Sequence, residues 1–423
     1  MLDIKFIREN PETVRKAIEE KGSPLDLEEL LALDKQVADL KRQTESLLAE
    51  RNANAKASGK AKPEERAAMI ERGKQIGQQL AAMEPELRGL EAKLRALMFL
   101  TPTIPWEGSP VGPDDSFNVE TRVHGTPSTF LFEPKGHLEL ITQNGWGEME
   151  RISRVSGSRS YALKGDLMVY EQALLRFALD ELRRDGFTPV SVPAYAREEV
   201  FYAHGQFPKA REDVYKVEGD DMYLAGTSEV LLNSLHAGEI LGEAELAKAY
   251  VGVSACFRSE AGSAGKDVRG LTRVHQFNKV EQYVLCRADL EETKRWFDLM
   301  LDNSERILQA LELPYRVLEV ATGDMGLGKY RQIDLETWVP SENRYRETHS
   351  CSALLDWQAR RANLRYRDAE GKVKFAHTLN NTALATPRIL VMLLENHQNE
   401  DGTVNVPKAV QPYFGKERLE ATV

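Results

Sequence analysis

The sequence predicts an α+β protein in which strands pair antiparallel beside helices, with a helical hairpin set apart at the N-terminus. Three observations predict it. Two long runs in the first hundred residues carry apolar side chains at alternating steps of three and four, the seam of a coiled coil. A Pro- and Gly-rich stretch from Thr101 to Pro113 then marks a boundary. Beyond about residue 115 strand-like and helix-like segments mix. There, two β-rich runs from Ser254 to Leu285 flank a polar, Gly-rich loop and read as a long antiparallel hairpin. The domains expected are residues 1–105 and 115–423.

The totals exclude some classes. A chain of 423 residues can hold two or three domains with a substantial core. No run of eighteen apolar residues occurs, so no membrane span is expected. The start, Met1 to Pro11, lacks an apolar signal core, so a cytoplasmic protein is expected. Cys256, Cys286 and Cys351 have no metal-site spacing and read as buried free thiols. A net charge of −10 argues against general nucleic-acid binding. A specific nucleic-acid partner would need a local basic surface.

The N-terminal part has one. Ile4, Phe6, Ile7, Val14 and Ile18 form a small apolar set that reads as short capping helices. Leu30, Leu33, Val37, Leu40, Thr44 and Leu47 then make the first seam, and Met69 to Leu97 carry the second. Between them Ala57 to Pro63 stops one helix and restarts another, which predicts an antiparallel hairpin. Helices of about 32 residues would reach roughly 48 Å. Pro85 falls inside the second run and predicts a kink or a cost of about 3 kcal/mol. Toward the tip the seam turns polar at Arg51 and Asn54. Arg51, Lys56, Lys60 and Lys62 lie there with no acidic residue between Arg51 and Lys62, and residues 35–74 are net +4, leaving −14 for the rest. A solvated coiled coil and an arm presenting a basic tip to a phosphate backbone both fit.

The second part holds the candidate chemistry. A helix from about Leu167 to Arg184 buries Leu174, Leu175, Ala178 and Leu182 on one face, and a strand with Val190, Val192 and Pro193 follows Gly186. Ala225-Gly226-Thr227-Ser228-Glu229 is a tight polar loop that also fits a helix cap. In the hairpin, Phe257-Arg258-Ser259-Glu260 and Arg273-Val274-His275-Gln276-Phe277 precede Glu281. Strand alternation places Arg258 with Glu260, and Arg273 with Phe277 and Glu281, on shared faces. Guanidiniums, a ring and carboxylates do not suit an apolar core. A salt-bridged surface and a ligand floor are the two readings, and Phe277 in the middle favours the floor. Glu347-Thr348-His349-Ser350-Cys351-Ser352 comes next, where the serines could simply cap a following helix. In the last block, Thr386 as cap and Pro387 at the first position start an apolar helix. Arg388 in its first turn opposes the helix dipole, which suggests an anion or ring nearby.

Four blocks in this order resemble the motifs of class II aminoacyl-tRNA synthetases, and their contexts resemble the common bacterial seryl-tRNA synthetase family over essentially the whole chain. The resemblance implies an antiparallel class II sheet flanked by helices, plus a tRNA-binding coiled-coil arm. It implies a ligase that activates L-serine with ATP and Mg²⁺ and transfers serine to the terminal ribose of tRNA(Ser), and to the selenocysteine tRNA. It assigns Arg258 to the α-phosphate, Glu260 near the adenine amino group, Phe277 under the ring and Arg273 toward the terminal phosphates. Arg388 would cover the other adenine face, and Ser259, Val274, Thr348 and His349 fall in the nucleotide region. Glu347 and Ser350 would hold Mg²⁺, and Thr227, Ser228, Glu229, Arg258, Glu281 and Thr382 would hold serine. The helix after Gly165 would form a homodimer interface, and the tip residues would contact the tRNA. Asn381, Ala383 and Pro387 stand where the family usually has glycines. A non-catalytic tRNA-binding paralogue and an amino acid:carrier-protein ligase are the competing readings.

Overall fold

The computed structural model describes residues 1–261 and 270–422. Most of the polar loop inside the predicted hairpin therefore lies outside the described residues. The chain divides into two compact units, Leu2–Pro102 and Thr103–Val423, with Met1 counted in the second.

The first unit opens with α1 (Ile4–Glu9) and α2 (Pro11–Glu20). Two long antiparallel helices follow, α3 (Leu27–Ser58) and α4 (Pro63–Met98). The Asp26 carboxylate caps α3 by accepting from Glu29 N at 3.0 Å, and Pro63 starts α4 where a missing N–H costs nothing. Seam residues are buried or half-buried along both helices, Leu30, Leu33, Val37 and Ile76 most completely. Toward the tip, packing gives way to polar ties between the helices: Arg72 to Glu50 at 2.7 Å and Asn54 Nδ2 to Met69 O at 2.6 Å. α4 runs unbroken through Pro85. Proline leaves the Ala81 carbonyl without its helical donor, and both residues are exposed, so water can serve it.

The second unit is built on one eight-stranded sheet. Its strands are β1 (Val119–His124), β2 (Thr188–Val190), β3 (Lys248–Phe257), β4 (Gln276–Cys286), β5 (Tyr315–Glu319), β6 (Arg331–Val339), β7 (Arg344–Leu355) and β8 (His377–Thr386). Their spatial order is β1-β5-β6-β7-β8-β4-β3-β2. All neighbours pair antiparallel except β2 with β3, which are parallel. The predicted hairpin is β3–β4, but its strands stop at Phe257 and resume at Gln276.

Helices cover one face of the sheet. α5 (Gly165–Arg184) buries Leu174, Leu175, Ala178 and Leu182 as its spacing predicts. Gly186, at φ +84°, ends it, and the strand after it closes at Val190, short of Val192 and Pro193. α6 (Leu290–Ala310) packs behind β8, and α7 (Arg388–Asn396) is buried along its length. Buried amides lock α6 to the sheet: Asn303 Nδ2 donates to Gln282 Oε1 at 2.8 Å, and Asn381 Nδ2 donates to Met300 O at 2.6 Å and Ser304 Oγ at 2.8 Å. This leaves the opposite face of β4 and β8 free to carry polar groups. The three cysteines are free and buried. Among the described residues no helix is long and apolar enough to cross a membrane.

Candidate active site

Alternation along β4 explains where the site lies. Val280 enters the apolar core, and Gln282 donates to Met300 O in α6 at 3.1 Å. Phe277, Lys279 and Glu281 therefore share the other face, which floors a trough. Two bulges tune its walls. The β7–β6 register shifts between Glu347 and His349, and the β8–β4 register shifts between Thr382 and Leu384. An extra residue re-aims its neighbours, and here Glu347, Thr348 and Thr382 turn into the trough.

One end of the trough is basic. The Arg258 guanidinium lies 5.0 Å from the Phe277 ring centroid, and Arg258 Nη2 reaches the Gly226 carbonyl at 3.5 Å. Arg273 Nη1 donates to Glu260 Oε2 at 2.8 Å, and Arg159 stands 3.9 Å from the same oxygen. Arg388 donates to Thr272 O at 3.2 Å and Glu347 O at 2.8 Å. Burial lowers the pKa of Arg388, and although Glu347 opposes this, Arg258, Arg273 and Arg346 add to it. A guanidinium among three others is a place that attracts an anion. Val274, Thr348 and Pro387 complete this end.

The other end is acidic and deeper. Glu229 Oε1 accepts from Gln358 Nε2 at 2.8 Å and Asn380 Nδ2 at 2.9 Å, with His204 Nε2 at 3.2 Å. Burial works to raise its pKa, but His204, Gln358 and Lys279 outweigh it and hold the carboxyl at about 2. Thr227 Oγ1 accepts from Glu229 N at 3.2 Å, so the loop is fixed by its own hydroxyl. Glu281 is 1% exposed and its carboxylate meets Lys279 Nζ at 2.5 Å and Thr382 Oγ1 at 3.5 Å. Burial raises its pKa despite Lys279. Asp334 and Ser350 face each other across β6 and β7, and Ser350 Oγ is buried beside the Asp334 carboxyl.

Residues 1–105 match the seryl-tRNA synthetase N-terminal domain, and residues 214–397 match the tRNA synthetase class II core domain (G, H, P, S and T). A serine–tRNA ligase of Deinococcus radiodurans is 57% identical over 415 residues, covering 98% of each chain. The chain belongs to the seryl-tRNA synthetase family. The fold agrees with solved members. A seryl-tRNA synthetase from Pyrococcus horikoshii, complexed with ATP, superposes with a TM-score of 0.92 at 39% identity over the whole of both chains. The cytoplasmic enzyme of Naegleria fowleri, in complex with AMP, gives 0.87 at 29% identity, covering 100% of this chain and 99% of that one.

Against the seryl-tRNA synthetase pattern, Arg258, Glu260, Arg273, Val274, Phe277, Glu347, Thr348 and Arg388 come together at the basic end. Thr227, Glu229, Glu281, Ser350 and Thr382 gather at the acidic end. Three others turn away. Ser228 is buried with its hydroxyl against Gly252, so a Cβ there would lie 2.5 Å from Ser228 Oγ. Ser259 Oγ donates to Glu212 O at 2.6 Å. His349 is buried, with Nδ1 2.9 Å from Thr348 Oγ1 and Nε2 3.0 Å from Ala383 O, and burial lowers its pKa to about 4. It is a neutral brace between β7 and β8.

Some local expectations need correcting. Arg258, Glu260 and Arg273 lie outside the strands, and Glu260 adopts φ +54°, so alternation does not align them. Convergence of the loop ends does. Thr386 is not a cap: it ends β8 and donates to Glu171 Oε1 at 2.6 Å, while Pro387 precedes α7. Ser350 and Ser352 belong to β7 and cap nothing. One of the missing glycines has an account: the Asn381 side chain clamps α6. Sequence reasoning missed His204, Gln358 and Asn380, which meet only through the fold. It also missed Lys279, which a step of two from Phe277 would have found.

Proposed function

We propose that this chain is a serine–tRNA ligase that binds ATP at the basic end of the trough and L-serine at the acidic end. The observation that carries the reading is the row of Phe277 and Glu281 on one strand face, with Arg258 bordering both ends. The purine rests on Phe277, and Arg258 and Arg273 neutralise the phosphates. For Arg273 this requires sharing or leaving Glu260. The serine ammonium meets the Glu229 carboxylate, and its hydroxyl meets Thr382 and Glu281. A carboxylate oxygen of serine attacks the α-phosphorus, the bond from that phosphorus to the bridging oxygen breaks, and pyrophosphate leaves. The carboxylate is already ionised, so the step needs position and charge neutralisation and no general base. The ribose hydroxyl of the tRNA then displaces AMP.

The residues present fit Mg²⁺. Among the described residues no cluster of three or more His, Cys, Asp or Glu side chains could enclose a metal by itself. Glu347 and the Ser350 hydroxyl offer two oxygen donors in the trough, matching an ion that takes most of its shell from phosphates and water. Mg²⁺ held there would neutralise charge on the triphosphate.

Arg51, Lys56, Lys60 and Lys62 are exposed at the hairpin tip, which supports contact with the tRNA backbone. The half-exposed Met168 and Val169 on α5 are compatible with a homodimer. The test is a pair of assays. Serine-dependent exchange of pyrophosphate into ATP and charging of tRNA(Ser) are both expected. Deleting residues 30–97 should spare exchange and abolish charging. No exchange by the full chain would leave only a binding role, and unchanged charging after deletion would remove the arm from the reading.

A further inference from the structure

Lys279 has no role in the mechanism above, yet it sits at the centre of the trough. It lies on β4 between Phe277 and Glu281, on the same face, and is only 6% exposed. Burying an ammonium is costly unless it is paired. Among the described residues its ion-pair partner is Glu281, at 2.5 Å. A lysine carries three donors, so one carboxylate oxygen does not exhaust it. Four residues border both ends of the trough: Arg258, Lys279, Glu347 and Thr382. Two of them are cations. The reaction brings two anions together at this boundary, a carboxylate and an α-phosphate, and Arg258, which borders both ends, would have to divide its donors between them.

We infer that Lys279 binds the α-carboxylate of the amino acid and aims its oxygen at the α-phosphorus, with Glu281 holding the Lys279 ammonium in place. This rests on the ligase reading and deepens it. The row along β4 then has one function per side chain: Phe277 for the purine, Lys279 for the carboxylate, Glu281 for the substrate hydroxyl. A merely structural lysine would instead neutralise Glu281 and, at longer range, Glu229.

The two roles separate by comparing L-serine with L-serinamide, which keeps the ammonium and hydroxymethyl groups but replaces the carboxylate with a neutral amide. Binding is measured by calorimetry for serine, serinamide and ATP in the full-length protein. In Lys279→Met, serine affinity should fall about 10- to 100-fold, the worth of a hydrogen bond to a charged group. Serinamide affinity should fall less than about threefold, so the preference for the carboxylate collapses. Lys279→Arg, which keeps the charge, should retain most of that preference. An equal loss of serine and serinamide overturns the inference, because it makes Lys279 a partner of Glu281 and nothing more. ATP affinity checks that each variant is folded, and Lys279→Gln gives the same comparison if the methionine variant is not. Failure of the unmodified protein to exchange pyrophosphate would count against the ligase reading itself, whatever the serinamide ratio does.

Discussion

The two ends of the trough are built differently. At the basic end the charged groups stand on loop ends and a helix start: Arg258 and Arg273 beyond the strands, Arg388 at the first turn of α7. They are partly exposed and are held by backbone carbonyls, one ring and one carboxylate. At the acidic end Glu229 and Glu281 are buried, Glu229 wired to Gln358 and Asn380 from distant parts of the fold and Glu281 to its strand neighbour Lys279. The difference matches what each end has to recognise. A triphosphate is large, flexible and highly charged, so convergent guanidiniums that can still adjust suffice. A small amino acid offers few atoms, and discrimination has to come from buried groups that would be left unpaired by the wrong substrate.

The strongest way to break this contrast is Arg258→Ala, because that residue alone of the arginines borders both ends. Losing a preorganised cation at the reacting phosphate is expected to lower the rate of serine-dependent pyrophosphate exchange by about 10²- to 10³-fold. The far-ultraviolet spectrum should be unchanged, since the side chain is exposed. A rate within about threefold of the unmodified protein would move the chemistry elsewhere. Glu281→Ala probes the other side. Serine affinity should drop by about 10²-fold, with ATP affinity within about threefold, both by calorimetry. If ATP affinity fell in step, the two ends would be one coupled site and the contrast would be wrong.

The two ends also differ in how much the sequence reveals. Heptad spacing located the arm, since a two-helix seam is a local pattern and Leu30, Val37 and Ile76 are buried where it predicts. Arg258, Phe277 and Glu281 stand out because their side chains contradict an apolar core. Strand alternation failed for Arg258, Glu260 and Arg273, because the strands end first and Glu260 is left-handed, neither of which composition reveals. The wiring of Glu229 was hidden for a different reason. Gln358 is 129 residues away from it and Asn380 151, so only the sheet order brings them together. His349 and Ser259 look like site residues in a motif but turn inward or sideways, because a bulge and a loop decide their direction.

Asp334 offers the smallest and most specific probe, because it carries the burial of the acidic end to the edge of the basic one. It lies on β6, 7% exposed, accepting from Gln332 Nε2 at 2.8 Å. Burial and then the nearby Glu347 raise its pKa to about 7, and Lys329 only partly offsets them. In the unfolded chain the same carboxyl titrates near the usual ~4. The folded chain therefore binds more protons than the unfolded chain between about 4 and about 7. By linkage, stability falls as pH rises through that window and the penalty is full above pH 7. Asp334→Asn keeps an acceptor for Gln332 and removes the charge. Its Tm should exceed that of the unmodified protein, with a gap that widens from pH 5 to pH 8 and reaches at least about 2–4 °C. A gap that stays flat or narrows would mean that Asp334 is held ionised by Lys329, placing it among the compensated charges of the basic end rather than the buried carboxyls of the acidic one.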